Sequence, residues 1–170
     1  MKLYIVGPVG SGKTTLARQI SQVTGVPRFH LDQVAHQRDP AAKIGNRKRS
    51  EAQRDAIFRS ILARKDYILE DTGRVCFDQG LEEAEQILLL EPPTALRLGR
   101  VLRRWIRQNL GLEACAYHPT WRMLRDMFRW TRAYDTGEDG VRARAEQFPH
   151  KLTVVRSKGE LDQFLSTLPH

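Results

Sequence analysis

Five compact apolar-rich runs recur along the chain: Lys2–Val6, "PRFHLD" (27–32), "YILED" (67–71), "QILLLE" (86–91) and "LTVVRS" (152–157). Between them, apolar residues return every three or four positions. That spacing predicts helices over Lys13 to about Val23, Ser50–Lys65, Leu96–Gln108, Trp121–Tyr134 and Glu160–Leu168. In Ser50–Lys65 the repeating positions are Ala52, Ala56, Ile57 and Ile61. Pro40–Arg47 is polar, basic and broken by Gly45, and reads as a loop. Short continuous strands alternating with helices predict a parallel sheet covered on both faces, an α/β architecture. No internal repeat, low-complexity segment or linker divides residues 1–170, so one domain is expected.

Composition narrows this picture. With 41% hydrophobic and 28% charged residues the chain reads as soluble and globular. The net charge of +8 favours anionic partners without saying which. Two cysteines, Cys76 and Cys115, make no disulfide framework. The N-terminal apolar run is too short for a signal peptide, and no segment has the roughly 18 to 20 apolar residues of a membrane helix. A cytoplasmic protein with no membrane partner is expected.

The first predicted strand runs straight into "GPVGSGKTT", which fits G-x-x-x-x-G-K-[ST]. Gly7, Gly10 and Gly12 let the loop turn tightly, so that backbone amides of the Val9–Thr15 stretch, Ser11 included, can point at one anion. The helix beginning near Lys13 brings its positive dipole end to the same place. Lys13 can reach β- and γ-phosphates, and the Thr14 hydroxyl can ligate Mg²⁺, with Thr15 beside it. A strand before and a helix after complete the context of a phosphate-binding P-loop for ATP. Carboxylates stand at the predicted strand ends: Asp32, the Glu70–Asp71 pair and Glu91. In a parallel sheet such ends gather at one edge, beside the phosphate loop. Asp32 could accept a proton from an attacking hydroxyl or hold a metal-bound water, and Glu70 or Asp71 could orient Mg²⁺ through water.

"GPVGSGKTTLARQI", "VPRFHLDQV", "YILEDTGR" and "ILLLEPPTALRLGRVLRR" together resemble the adenylate kinase and shikimate kinase group of P-loop kinases, and more narrowly the bacterial DNA topology modulation proteins of FlaR type. The resemblance implies a P-loop NTPase fold: a five-stranded parallel sheet in adenylate-kinase-like order, flanked by helices, with a small helical lid over 97–134. It also implies that Arg100 and Arg104 match lid-flanking arginines, that Arg74 grips the acceptor, and that Arg156 lies where related kinases cradle adenine.

The arginines fit such a lid. At 100° per residue, Arg97, Arg100, Arg103, Arg104 and Arg107 share one side of their helix, opposite Leu98, Val101, Leu102 and Trp105. In the next helix Arg122, Arg125, Arg129 and Arg132 form a second stripe, opposite Leu124, Met127, Phe128 and Trp130. Arg125 and Arg129 are thereby candidates for the acceptor. Trp105, Trp121, Phe128 and Trp130 are expected to pack in the core rather than stack on nucleic-acid bases. Cys115 and His118 offer half a zinc site at most, because four ligands are needed. The expected activity is ATP- and Mg²⁺-dependent phosphoryl transfer to a small acceptor, foremost a nucleoside or nucleotide. The alternative is a nucleotide-regulated nucleic-acid-binding protein acting on DNA topology.

Overall fold

The computed structural model describes residues 1–42, 45–113 and 119–168. Cys115 and His118, the half zinc site, lie outside the described residues, as do His170 and the loop residues Lys43 and Ile44.

Strand β1 (Lys2–Val6) is buried from its second residue onward and leads through the glycine loop into α1 (Lys13–Thr24). β2 (Arg28–His30) follows, then the short helix α2 (Leu31–Ala35) and a two-stranded antiparallel hairpin of β3 (His36–Arg38) and β4 (Asn46–Lys48). α3 (Glu51–Leu62) starts at a capping box in which the Ser50 hydroxyl accepts from Gln53 N–H while the Gln53 side chain reaches back to the Ser50 amide. β5 (Tyr67–Asp71), α4 (Asp78–Glu83) and β6 (Gln86–Leu90) come next, then two long helices, α5 (Thr94–Asn109) and α6 (Trp121–Thr136). α7 (Val141–Ala145), β7 (Leu152–Val155) and α8 (Lys158–Ser166) complete the chain.

Five strands form one parallel sheet in the order β2-β5-β1-β6-β7. The expected α/β fold with a five-stranded parallel sheet is therefore present. Both faces are covered. Leu3, Ile5, Ile68 and Leu88 pack against Leu16, Ala17 and Ile20 of α1 and Phe164 of α8. Tyr4, Val6, Leu69 and Leu89 pack on the other side, against Phe58, Ile61, Phe77, Leu81 and Val141. Register decides what gathers at the carboxyl edge: His30 lies beside Glu70, Ile5 beside Glu70, and Val6 beside Asp71.

Several expectations are corrected. The second strand stops at His30, and Asp32 sits in the first turn of α2 instead of at a strand end. Leu31, Val34 and Ala35 are all buried, a spacing of three and four that only a helical turn can satisfy. The expected loop Pro40–Arg47 gives its last two residues, Asn46 and Arg47, to β4. α3 buries Phe58, Ile61 and Leu62, while Ala52, Ala56 and Ile57 face outward.

α5 and α6 form a helical hairpin. At its base Arg97 pairs with Asp135, whose carboxylate also accepts from Thr94 Oγ1 at 3.0 Å. Toward its far end the rings of Trp105 and Trp121 pack tilted at 46°, with centroids 4.3 Å apart. The buried arc of α5 runs through Arg97, Val101 and Gln108, so Arg97 leaves the expected solvent stripe. Its guanidinium donates to Pro92 O at 2.9 Å and Thr94 Oγ1 at 2.7 Å, which makes burial of the charge tolerable. Trp121, Phe128 and Trp130 are exposed, against the expectation that they fill the core.

α5 lies directly on the glycine loop. A Cβ on Gly10 would stand 2.7 Å from Arg97 O and 3.1 Å from Val101 Cγ2, and the residue's φ is +77°. Gly10→Ala should therefore push α5 off the loop and cost about 1–3 kcal/mol in strain and overpacking. Chemical denaturation checks this. An unchanged midpoint would mean that the contact between α5 and the loop is loose.

Candidate active site

The glycine loop turns where its backbone needs it. Gly7 has φ +151°, and a Cβ there would meet Leu90 O at 2.4 Å, so the loop enters pressed against the end of β6. Gly12, with φ +103°, is the N-cap of α1. The first amides of that helix have no intrahelical acceptor and are free to hold an anion. Val9 is half-buried and Ser11 buried, while Thr14 and Thr15 are exposed on the first turn.

Lys13 is only 8% exposed. Its Nζ donates to Gly7 O at 2.7 Å and to Pro8 O at 2.8 Å, with Ser11 Oγ at 3.4 Å. Burial pushes its pKa down to about 8, against the opposing pull of Asp71, Glu70 and Asp32.

Two of those carboxylates, Asp32 and Asp71, meet at one arginine. Arg74 leaves the turn after β5 and binds Asp32 through Nη2, and Asp71 Oδ1 through Nη1 at 2.8 Å. Asp71 Oδ2 accepts the amides of Gly73 at 2.8 Å and Arg74 at 2.6 Å, so this buried carboxylate shapes the turn that carries Arg74. Burial raises the Asp32 pKa, but Arg74 and then His30 outweigh it and hold the carboxyl below its ordinary value. Asp32 is thus ionised at neutral pH. Its side chain is 41% exposed, open to an incoming molecule. Glu70 is fully buried, and neither of its oxygens has a hydrogen-bond donor among the described residues. His30 Nδ1 stands 3.1 Å from Glu70 Oε1, and His30 Nε2 stands 3.5 Å from Asp32 Oδ2.

Arg100 is seated on the loop, with Nη1 donating to Ser11 O at 3.0 Å and Gly10 O at 3.3 Å. Arg104 is turned away: it pairs with Glu113 at 3.2 Å, and Arg107 shares that carboxylate at 3.6 Å. Arg125 is exposed, and Arg129 pairs with Asp126 at 3.2 Å. Neither shares a hydrogen bond or ion pair with Asp32 or Arg74 among the described residues. Arg156, after β7, places Nη2 3.2 Å from Glu91 Oε2.

Sequence reasoning missed what surrounds Glu91 and the Arg74 turn. Glu91 Oε1 accepts from Tyr134 and, at 2.7 Å, from Arg142 Nε. Burial and the adjacent Glu91 raise the Tyr134 pKa. Arg144 donates to Gly73 O and lies 3.3 Å from Asp78 Oδ1. The alternation Arg-Ala-Arg at 142–144 was the one signal for these. His30 was visible inside "HLD", but nothing local showed that register would set it against Glu70.

Thr14 and the free amides fit Mg²⁺-bound phosphates. No group of three His, Cys, Asp or Glu side chains among the described residues could hold a metal by itself. No helix among the described residues is long and apolar enough to cross a membrane.

Solved structures share this fold. Shikimate kinase from Acinetobacter baumannii, in complex with shikimate, superposes with a TM-score of 0.56 at 21% identity, covering 96% of this chain and 88% of that one. A sugar kinase from Janibacter sp. HTCC2649 gives 0.55 at 18% identity, covering 96% and 91%. Shikimate kinase from Aquifex aeolicus gives 0.52 at 12% identity, covering 98% and 95%. These likenesses show a shared fold. No protein-family model and no curated protein matches the sequence, so neither comparison bears out the narrower resemblance to DNA topology modulation proteins.

The depressed Lys13 pKa gives a pH prediction. Bound phosphate needs the charged ammonium, and the free site loses that proton as pH rises through about 8. ATP affinity should fall about tenfold between roughly pH 7 and pH 9, as the protonated fraction does. Titration calorimetry at both pH values checks it. In Lys13→Met the affinity should be weak and nearly flat with pH; a steep fall there would assign the titration to another group.

Proposed function

We propose that this protein is an ATP-dependent phosphotransferase acting on a small hydroxyl-bearing acceptor. The observation that carries the reading is a gathering at one sheet edge: the Lys13 ammonium in its glycine loop lies within the field of an ionised, accessible Asp32 held by Arg74. The likeness to shikimate and sugar kinases supports a small-molecule acceptor without naming it. A nucleoside or nucleotide remains one class to test, with polyols and hydroxy acids beside it.

In this reading the loop amides, Lys13 and Arg100 hold the β- and γ-phosphates. Thr14, with Glu70 or Asp71, would hold Mg²⁺, which would supply charge neutralisation on the transferred group. The acceptor hydroxyl oxygen bonds to the γ-phosphorus and its proton passes to Asp32, while the bond from that phosphorus to the β–γ bridging oxygen breaks and ADP leaves. Arg74 keeps Asp32 ionised and grips the acceptor. Arg156, at its Glu91 anchor, lies where the adenine would rest. The α5–α6 hairpin, residues 97–134, is the lid. Arg104 exchanges Glu113 for transferred phosphate as it closes, and Arg125 and Arg129 approach the acceptor in the same movement.

Acceptor-dependent ADP formation, screened over nucleosides, nucleotides, polyols and hydroxy acids, tests this. Asp32→Asn should retain ATP binding and lose roughly 10²-fold or more in kcat, the range of general acid–base assistance. Lys13→Ala should abolish turnover while the fold survives. Full activity in Asp32→Asn with a lowered Tm would reduce Asp32 to a structural role.

A further inference from the structure

A second concavity lies along the free edge of the sheet. β2 pairs with β5 on one side only, so its other edge is open. Between that edge and helices α2 and α3 is a cavity of about 400 Å³. That volume is in the range of small-molecule sites. Its apolar lining comes from Phe29, Val34, Ile57 and Ile61. Val34 and Ile61 are buried, Phe29 is half-buried, and Ile57 is 36% exposed. The proposed phosphoryl transfer gives none of these side chains a role, and the inference below does not rest on that reading.

Two exposed arginines, Arg28 and Arg64, stand at the rim of this cavity, with Gln33 and Ser60 between them and the apolar lining. Among the described residues neither arginine takes part in an ion pair; the pairs formed nearby join His30 to Glu70 and Arg54 to Asp55. The Arg64 guanidinium lies 5.3 Å from the centre of the Phe29 ring, which keeps a cation against the apolar wall. A guanidinium fork pairs best with a carboxylate or a phosphate. The amide of Gln33 and the hydroxyl of Ser60 can donate to the same anion. Below the rim, the apolar lining favours a hydrocarbon or ring leaving water.

We propose that this cavity binds a small organic anion, an apolar body of ring size carrying one carboxylate or phosphate. Two observations favour such a ligand over a macromolecule. An added peptide strand would have only the three residues of β2 to pair with. A nucleic-acid backbone would meet the arginines and leave the apolar lining in water. The cavity shares His30 with the candidate active site, where the imidazole faces Glu70 and Asp32. A test must therefore separate the two places.

Benzoate and phenyl phosphate are suitable probes, titrated into the full chain with isotope-labelled valine and isoleucine methyl groups. They should shift the methyl signals of Val34, Ile57 and Ile61 saturably. A response to one of the two supports the site and fixes its anion as carboxylate or phosphate. Inorganic phosphate and benzyl alcohol each carry half of the required chemistry, and should bind at least about tenfold more weakly. The response should persist in Lys13→Ala, which removes the phosphate loop as its source. Arg28→Gln/Arg64→Gln, at exposed positions, should weaken probe binding at least about fivefold and leave ATP binding unchanged. Ser60→Trp, at an exposed position of α3, should fill the cavity and abolish the response. No saturable shift at these methyls with either probe would overturn the proposal. So would equal binding of inorganic phosphate or benzyl alcohol, loss of the response in Lys13→Ala, or undiminished binding by the double arginine variant or by Ser60→Trp.

Discussion

A buried ammonium group organises this molecule. Lys13 has almost no access to water, and two loop carbonyls satisfy only part of its need. A charge in that position is tolerated because the parallel sheet delivers carboxylates to the same edge. Asp71 and Glu70 arrive on β5, between β2 and β1, and Asp32 follows in the first turn of α2 beyond β2. The cluster is therefore mixed in sign, with Arg74 binding two of its carboxylates. The glycines follow from the same constraint, since the loop can enclose Lys13 only by pressing its backbone onto Leu90 and Arg97.

The parts that could be read in the sequence are those where local chemistry and periodicity agree. Lys2–Val6, the glycine loop and the helix from Lys13 form one continuous signal, and the carboxylates closing "YILED" could be placed at a sheet edge without knowing strand order. Asp32 was singled out as a candidate but placed at a strand end instead of in a helical turn. The helical spacing of Leu31, Val34 and Ala35 was hidden inside a run that also looked extended.

The helical hairpin was harder to read, for a physical reason. A helical wheel sorts residues by hydrophobicity, whereas burial of Arg97 is decided by Asp135, which lies 38 positions away in the sequence. The same rotation of α5 leaves Leu102 and Ile106 in solvent. Register raised a similar barrier at His30, whose contact with Glu70 comes from pairing of two strands well separated in the chain. Arg142 and Tyr134 converge on Glu91 for reasons equally remote from any local pattern.

On the proposed reading, phosphate changes hands at the sheet edge that gathers Lys13, Asp32 and Arg74. The most direct measurement follows the phosphate itself. ATP labelled in its γ-phosphate, incubated with the protein and a fractionated small-metabolite extract, should yield label in a small organic phosphate ester. The label should be absent when Lys13 is replaced by alanine. Label recovered only as unreacted ATP or inorganic phosphate, whatever fraction is supplied, would contradict the account.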